Sequence, residues 1–370
     1  MQRATTSNSS IAKPASRILE LDALRGLAAM AVVLFHYTTR YQQLFGHDGE
    51  LPAGVPWGHY GVDLFFMLSG FVILMTLERT SECLRFVWGR FSRLYPTYWA
   101  AAGLTFAVVS IFGLPGEEVS LGDAILNLTM VQALLGASHI DGAYWSLQAE
   151  LIFYVNMLLV FRLGGFRRPT VAIVAWVSTA LVVQSSQIAL QVNWPLAASL
   201  LGKLATVGSL RFIPLFGLGV LLYDLRRPTL LDRRNRDRAW SHLGIVSCLF
   251  AIGVSSGLTN FVVDAGLITL LWMAVCRKLR FLTFKPLVWL GAISYSLYLT
   301  HQNIGYVAIR NLQSMGFSPT ASIFAACVLA LCLAAALHYA VERPTLQRLR
   351  RVDLRAMLQR ANLGTLGPNV

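Results

Sequence analysis

Long apolar runs separated by short polar segments form the dominant pattern of this chain. An α-helix of about 20 mostly apolar residues crosses a bilayer, and the pattern predicts about ten such helices. The segment 121–136 is too short and too polar for a span, so we expect an interfacial or re-entrant helix there. The fold class predicted is an all-α, polytopic membrane bundle. The predicted spans are 22–41, 59–78, 96–113, 143–162, 170–188, 206–224, 240–257, 261–277, 286–305 and 319–341.

The basic residues orient this predicted bundle. Cytoplasmic loops of membrane proteins are enriched in Lys and Arg. With the N-terminus inside, all but four of the 31 Lys and Arg residues fall on the inner side. Both termini are therefore predicted to be cytoplasmic, and the net charge of +13 reflects topology rather than a nucleic-acid partner. The four exceptions are Arg40, Lys203, Arg211 and Arg310.

Composition supports a membrane protein and argues against other classes. Only 13% of the residues are charged and 55% are apolar, whereas soluble domains carry about 25% charged residues. The five cysteines show no metal or disulfide spacing, so we expect no metal. We divide the chain into a polar N-terminal tail without a cleavable signal peptide (1–17), a membrane domain (18–344) and a basic cytoplasmic tail (345–370).

Two ionisable residues interrupt the first predicted span. Arg25 and His36 are eleven residues apart, which places them on one helix face about 16 Å apart along the axis. An ionisable residue in an apolar span marks a functional site by default, and an imidazole exchanges protons near neutral pH. The alternatives are that Arg25 reaches the membrane interface and that His36 is an interhelical hydrogen-bonding residue.

Further polar residues occur in pairs or stripes at helical spacing. Ser146, Glu150 and Tyr154 follow one another at intervals of four on the fourth span, so they share a face. Arg90 and Arg93 are three apart, and two guanidinium groups on one side of a helix suit phosphate oxygens. Ordinary positive-inside anchoring of the arginines and a purely structural Glu150 remain the alternatives.

Two other segments contribute weaker candidates. Asp63 begins the second span, where it either orients an imidazole or caps its own helix. Ser294, Tyr298 and His301 form a polar stripe on the ninth span, although Tyr residues are also common at membrane interfaces. The Glu342-Arg343-Pro344 sequence is expected to end the last helix.

Five fragments in order resemble acyltransferase family 3, the integral-membrane O-acyltransferases that act mostly on bacterial surface glycans. The fragments are LDALRGLAAMAVVLFHY, GVDLFFMLSGFVI, RFSRLYP, WSLQAELIFY and SYSLYLTH, and the resemblance runs from about residue 18 to 344. It implies a multi-pass protein of the bacterial inner membrane with an acyl-CoA donor, acetyl-CoA above all. It also implies a glycan or lipid-linked saccharide acceptor. By position, the family's functional residues map to Arg25, His36, Arg90, Arg93, Trp145, Ser146 and Glu150.

These observations together predict a membrane O-acyltransferase. Acyl-CoA would bind Arg25, Arg90 and Arg93. His36 would act as general base or as acyl-carrying nucleophile. Glu150 would orient the imidazole, and Asp63 is the weaker candidate for that role. Acceptor identity, acyl length and oligomeric state stay open. A proton-coupled transporter or lipid-linked glycan flippase is the alternative, since buried Arg, His and Glu also suit transport. The predicted substrate-binding residues are Trp145, Ser146, Tyr154, Tyr298 and His301.

Overall fold

The computed structural model describes residues 18–50, 53–80, 82–162, 169–191, 193–226, 235–349 and 351–352, with side chains 235–237 excluded. Within this part of the chain the secondary structure is helical and contains no strand, so the predicted all-α class is confirmed. The predicted tail 1–17 and most of the predicted tail 345–370, namely residues 350 and 353–370, lie outside the described residues, as do segments 163–168 and 227–234 of the basic loops.

The helices follow the predicted order with some changes at their ends. The first helix, α1, runs from Leu19 to Leu34 and continues as a π-helical segment (Phe35–Arg40) and a last α-helical turn (Tyr41–Leu44). The last helix, α13 (Pro319–Leu337), likewise continues through a π-helical segment (His338–Glu342) to Leu349. The others are α2 (Gly61–Arg79), α3 (Cys83–Phe112), α4 (Leu121–Asn127), α5 (Trp145–Arg162), α6 (Pro169–Leu190), α7 (Pro195–Val207), α8 (Ile213–Arg226), α9 (Asn235–Ser256), α10 (Leu258–Val275), α11 (Lys285–Thr300), α12 (Gln302–Ser314) and α13 (Pro319–Leu337).

Length and hydropathy support a polytopic membrane protein. Seven of the described helices are long and apolar enough to cross a membrane, and α7 with the segment Leu210–Arg226, bent by 57°, adds one more if the pair is one span. The regular α-helical parts of α1 and α11 are 16 residues each, or about 24 Å, shorter than the bilayer core of about 30 Å. The figure of ten spans and the cytoplasmic termini therefore stay predictions.

Four expectations about helix ends were wrong. Pro96 does not start a span but lies inside the 30-residue helix α3, because neighbouring groups in a bundle compensate for the one backbone hydrogen bond that proline removes. The ninth span, 286–305, breaks at His301. The segment 189–205, which the prediction left as a connection between the spans 170–188 and 206–224, contains the helix α7. The last helix passes Pro344 because a π-helical segment precedes it and shifts the hydrogen-bond register.

Segment 121–136 forms no span in the structure. It contains the short helix α4 and a 3₁₀ turn over Gln132–Leu135. The phenol of Tyr98 and the indole of Trp99 on α3 donate hydrogen bonds to the carbonyls of Asn127 and Leu128 (2.8 and 2.9 Å). These bonds fasten the segment to α3 and satisfy carbonyls at the end of α4 that the short helix leaves without partners.

Two helix crossings rely on glycine. In the α1–α11 crossing, a Cβ on Gly26 would lie 2.8 Å from the nitrogen of Gly291, and a Cβ on Gly291 would lie 1.9 Å from the carbonyl oxygen of Asp22. In the α2–α8 crossing, a Cβ on Gly219 would lie 1.8 Å from the carbonyl oxygen of Met67. Small residues allow helix backbones to approach this closely, which is how membrane helices gain packing energy.

His36 and His301 are equally far from the first crossing. His36 lies ten residues after Gly26, and His301 lies ten residues after Gly291. Both helices therefore rise by about the same distance, roughly 15 Å, before the two imidazoles meet. The glycine crossing sets the register that places the two histidines side by side.

Gly219→Ala is expected to remove most of the folded protein, because its Cβ would meet the Met67 backbone and overpacking costs about 1–3 kcal/mol or more. Gly266→Ala is the matched control: a Cβ there meets no atom within 4 Å, and alanine favours the helix by up to about 1 kcal/mol. Thermal melting in detergent, followed by size-exclusion chromatography, measures both. Equal melting temperatures for the two variants would contradict the close crossing.

Candidate active site

A cavity of about 290 Å³ lies between α1, α2, α3, α5 and α11. It is near the lower end of the range for small-molecule sites, about 300–1,000 Å³. Its wall combines apolar side chains with three arginines, one carboxylate and several hydroxyl groups. The polar lining residues are Arg25, Ser69, Arg90, Arg93, Ser146, Glu150, Tyr154, Ser294, Tyr295 and Tyr298.

The carboxylate of Glu150 is held by two hydroxyl groups. Ser69 on α2 donates a hydrogen bond to Oε1 of Glu150 at 2.6 Å, and the phenol of Tyr154, one helical turn along α5, donates to the same oxygen. Ser69 had no predicted role. Its bond to Glu150 crosses between helices, so spacing along the chain could not reveal it.

Arg90 presents its guanidinium group to the cavity. It lies over the rings of Phe86 and Tyr154 at 5.6 and 5.8 Å from their centroids. Its one described hydrogen bond, to Oγ1 of Thr76, is long at 3.4 Å. No carboxylate in the described ranges forms an ion pair with it. Most of its donors are therefore available to an anionic ligand.

Arg93 has a different environment from Arg90, although the two are neighbours on α3. Its Nη1 forms an ion pair with Oε1 of Glu342 at 2.6 Å. The other oxygen of Glu342 accepts hydrogen bonds from Ser296 and from Nδ1 of His338, both at 2.9 Å. Glu342 is only 2% exposed. Arg93 thus lines the cavity and also fastens α3 to α11 and to the π-helical segment of α13.

His36 pairs with His301. Nδ1 of His36 lies 2.9 Å from the carbonyl oxygen of Val32 and 3.2 Å from Nε2 of His301. Nδ1 of His301 lies 2.8 Å from the carbonyl oxygen of Tyr298. Because a carbonyl only accepts, Nδ1 of each neutral ring carries the proton, and Nε2 of His301 accepts from His36. Nε2 of His36 is then left with its lone pair, as a general base requires.

His36 does not line the cavity that holds Glu150, so the structure shows no contact through which Glu150 would orient the imidazole. Tyr298 stands between them: its ring is 5.6 Å from that of His301, and its hydroxyl is 2.6 Å from Oγ of Ser146. Glu150 bonds to Ser69 and Tyr154, whereas His36 bonds to Val32 and His301. His301 directly follows the end of α11 at Thr300, and its imidazole contacts His36 on α1.

The remaining predicted residues lie apart from His36. Asp63 is in the first turn of α2 rather than at its cap position, and its carboxylate interacts electrostatically with Asp264 and Arg211. Trp145 packs against Phe212 with ring centroids 5.1 Å apart. Neither residue has a described contact with the histidine pair. Tyr295, which lines the cavity and donates to the Leu94 carbonyl, had no role in the sequence analysis.

The class of protein follows from the helices and these polar groups: a polytopic membrane protein with an arginine-lined cavity and a buried histidine pair. A sequence model of the family described as "Acyltransferase domain" matches residues 18–339. The chain belongs to this family, acyltransferase family 3, and is a membrane acyltransferase. No solved structure matches the chain.

Curated relatives support the same class. The putative acetyltransferase ORF330 of Acidianus two-tailed virus is 26% identical, with 75% of this chain and 80% of the relative aligned. Acyltransferase MdmB of Streptomyces mycarofaciens is also 26% identical, with 90% and 93% aligned. The exopolysaccharide production protein ExoZ of Rhizobium meliloti is 25% identical, with 79% and 90% aligned.

Arg93→Ala and Glu342→Ala are each expected to lower stability by about 1–3 kcal/mol, because the first removes one of three partners of a buried carboxylate and the second removes the carboxylate that pairs with Arg93. The double variant should lose less than the sum, with a coupling energy of about 1–3 kcal/mol. Arg90→Ala combined with Glu342→Ala is the control, and its effects should add. Denaturation in detergent measures all of these. Additive losses for Arg93 and Glu342 would show that the ion pair contributes nothing.

Proposed function

We propose that the protein transfers a short acyl group, acetyl in the first instance, from acyl-CoA to a hydroxyl of a cell-surface or exported glycan in the bacterial inner membrane. The observation that carries this proposal is the arrangement along α1. Arg25 lies in a guanidinium-rich cavity, and His36, about 16 Å further along the axis, keeps an unused nitrogen lone pair. The names of two relatives, a putative acetyltransferase and an exopolysaccharide production protein, support the donor and acceptor classes.

The arginine-lined cavity suits the donor. Its end near Arg90 and Arg93 is the end that the positive-inside rule assigns to the cytoplasm, where acyl-CoA is made. Arg90 would bind the CoA phosphates because its guanidinium is not paired with a carboxylate, and Arg25 would add a second charge deeper inside. A cavity of about 290 Å³ holds only part of a donor as large as acyl-CoA. The thioester arm of the donor would lie inside the cavity, and its nucleotide would lie at the cavity mouth.

The histidine pair suits proton removal from the acceptor. Nε2 of His36 would take the proton of the acceptor hydroxyl as its oxygen attacks the thioester carbonyl. The C–S bond then breaks, and the CoA thiolate receives the proton. The imidazolium formed in between would be stabilised by the Val32 carbonyl and by Nε2 of His301. Attack by Nε2 itself, giving an acyl-histidine that the acceptor then resolves, uses the same geometry.

Tyr298 and Ser146 would act where the two substrates meet. Both hydroxyls lie 3.1 Å from the carbonyl oxygen of Ala143. Each would turn its O–H from that carbonyl toward the thioester carbonyl oxygen and donate a hydrogen bond as charge develops on it. Rotation of Tyr298 away from Ser146 would open the cavity toward His36. Glu150, held by Ser69 and Tyr154, would balance the charge of the cavity arginines instead of orienting the imidazole.

Isotope-labelled acetyl-CoA added to membranes that contain the protein tests the proposal. Label in glycan supports acyl transfer. Glycan that crosses the membrane without label would instead support the transport alternative.

His36→Ala is expected to lower transfer by at least about 100-fold, the smaller end of the contribution of a general base, while insertion and melting temperature stay near wild type. His242→Ala replaces an exposed histidine on α9 and is the matched control. Transfer of labelled acetyl from acetyl-CoA measures the rate. Acid quenching during turnover separates the general-base mechanism from the acyl-histidine mechanism. Labelled acetyl bound to the wild-type protein, but not to the His36→Ala variant, indicates an acyl-histidine. Near-normal turnover of His36→Ala would refute both roles.

Arg90→Ala is expected to raise the KM for acetyl-CoA by about 10–100-fold, which corresponds to the loss of charged hydrogen bonds worth about 1.5–3 kcal/mol. The acceptor KM should stay unchanged, because Arg90 is remote from His36. Arg85→Ala, an exposed position on the same helix, provides the control for net charge. Initial rates over a range of donor concentrations check this, and an unchanged donor KM would exclude Arg90 from donor binding.

A further inference from the structure

A second group of polar side chains surrounds His36 on the side away from the arginine-lined cavity. Tyr306 on α12 packs beside His36, with ring centroids 6.4 Å apart. Arg40, in the same π-helical segment as His36, interacts electrostatically with both His36 and Tyr306. Glu117, in the connection after α3, interacts with Arg40 and Tyr306. We call Arg40, Glu117 and Tyr306 the distal cluster.

The hydroxyl of Tyr306 has no hydrogen-bond partner among the described residues, although the residue is 0% exposed. Its ring is fixed between Tyr41 and Phe45, with centroids 5.6 Å away in both cases, so the hydroxyl cannot turn out to solvent. A buried phenol normally finds a partner, and leaving it unsatisfied lowers stability. Such a group in a native structure points to a ligand that satisfies it during function.

The rest of the distal cluster lies nearer the surface. Arg40 is exposed and Glu117 is half-buried, whereas Tyr306 is buried, so the cluster runs from the surface inward to Tyr306. Asn303 lies close enough to Glu117 to favour its ionised carboxylate. The amide of Asn303 donates to the carbonyl of Ile140 at 3.0 Å, and its backbone donates to Oδ2 of Asp141 at 3.0 Å. These bonds hold Asn303 in place beside Glu117 before any ligand arrives.

The hydrogen-bonding capacity of the cluster matches neighbouring hydroxyl groups. Arg40 only donates, an ionised Glu117 only accepts, and the Tyr306 phenol does either. Burial raises the pKa of Glu117, while Asn303 and Arg40 oppose the shift. Arg40 lies four residues beyond His36 in the same π-helical segment, about one helical turn away. A saccharide bound here would bring one hydroxyl to His36 while Arg40 and Glu117 hold the others.

We propose that Arg40, Glu117 and Tyr306 form the acceptor subsite, which binds a hydroxyl-rich saccharide and presents one of its hydroxyls to Nε2 of His36. This inference rests on the proposed function and adds the place where the acceptor binds. The donor and the acceptor then approach the histidine pair from opposite ends of the bundle, and the charged part of neither substrate has to cross it.

The test uses the full-length protein in detergent, labelled acetyl-CoA as donor, and the envelope polysaccharide of a deletion strain as the acceptor probe. Tyr306→Phe removes only the hydroxyl, and Glu117→Gln removes only the charge. Each is expected to raise the half-saturating polysaccharide concentration by about 3–10-fold, the range for one hydrogen bond, with the donor KM unchanged. Tyr41→Phe is the control, because that phenol interacts with Asp48 and Arg310 instead.

Melting temperature separates a binding role from a structural one. Removing a buried hydroxyl that has no partner should leave the melting temperature of Tyr306→Phe unchanged or raise it. If Tyr306→Phe lowers the melting temperature and leaves saturation by polysaccharide unchanged, the hydroxyl is structural and the proposed subsite is wrong. Saturation curves of Tyr306→Phe and Glu117→Gln that superimpose on that of the wild type would also overturn the subsite. If the wild-type protein transfers no label at all, the proposed function has failed, which is a distinct result.

Discussion

The close crossing of α1 and α11 at Gly26 and Gly291 is the contact on which the site depends. A bilayer offers no water to buried polar groups, so each must find its partner inside the bundle. The glycine crossing brings the two backbones together and sets their register. Ten residues further along both helices, His36 meets His301. Without this register, two imidazoles would each face apolar surroundings at a large desolvation cost.

The polar groups of the bundle divide into those that are satisfied and those that are available. Glu342 bonds to Arg93, His338 and Ser296, and this network joins three helices. Glu150 is likewise held by Ser69 and Tyr154. Among the described residues of the proposed site, Arg90, Nε2 of His36 and the Tyr306 hydroxyl keep unused hydrogen-bonding capacity. Because unsatisfied groups are costly in an apolar interior, we propose that ligands bind at these three positions.

The π-helical segments fall at functionally relevant positions. One contains His36 and Arg40, and the other contains His338 and Glu342. A π-helical turn changes the angular spacing of side chains and is frequent at functional sites. In α1 it places two polar residues toward α12, and in α13 it presents His338 and Glu342 to α3 and α11. An unbroken α-helix would rotate these residues by a different angle and separate the partners.

The sequence alone determined the helical membrane class and the family, because apolar run length, buried charge and motif order are local properties of the chain. It also predicted that Arg25 and His36 share one face of the first helix. It did not separate Arg90 from Arg93, since spacing makes them equivalent and only the position of Glu342 on a distant helix distinguishes them. It predicted that Glu150 is the partner of His36, whereas the side chain beside His36 is His301, which follows the end of α11 at Thr300.

Tyr306 carried no signal in the sequence, because a phenol among aromatic residues is ordinary until the packing of α12 buries its hydroxyl beside His36. Partners between helices are decided by crossing points and helix ends, and those depend on how the entire bundle packs.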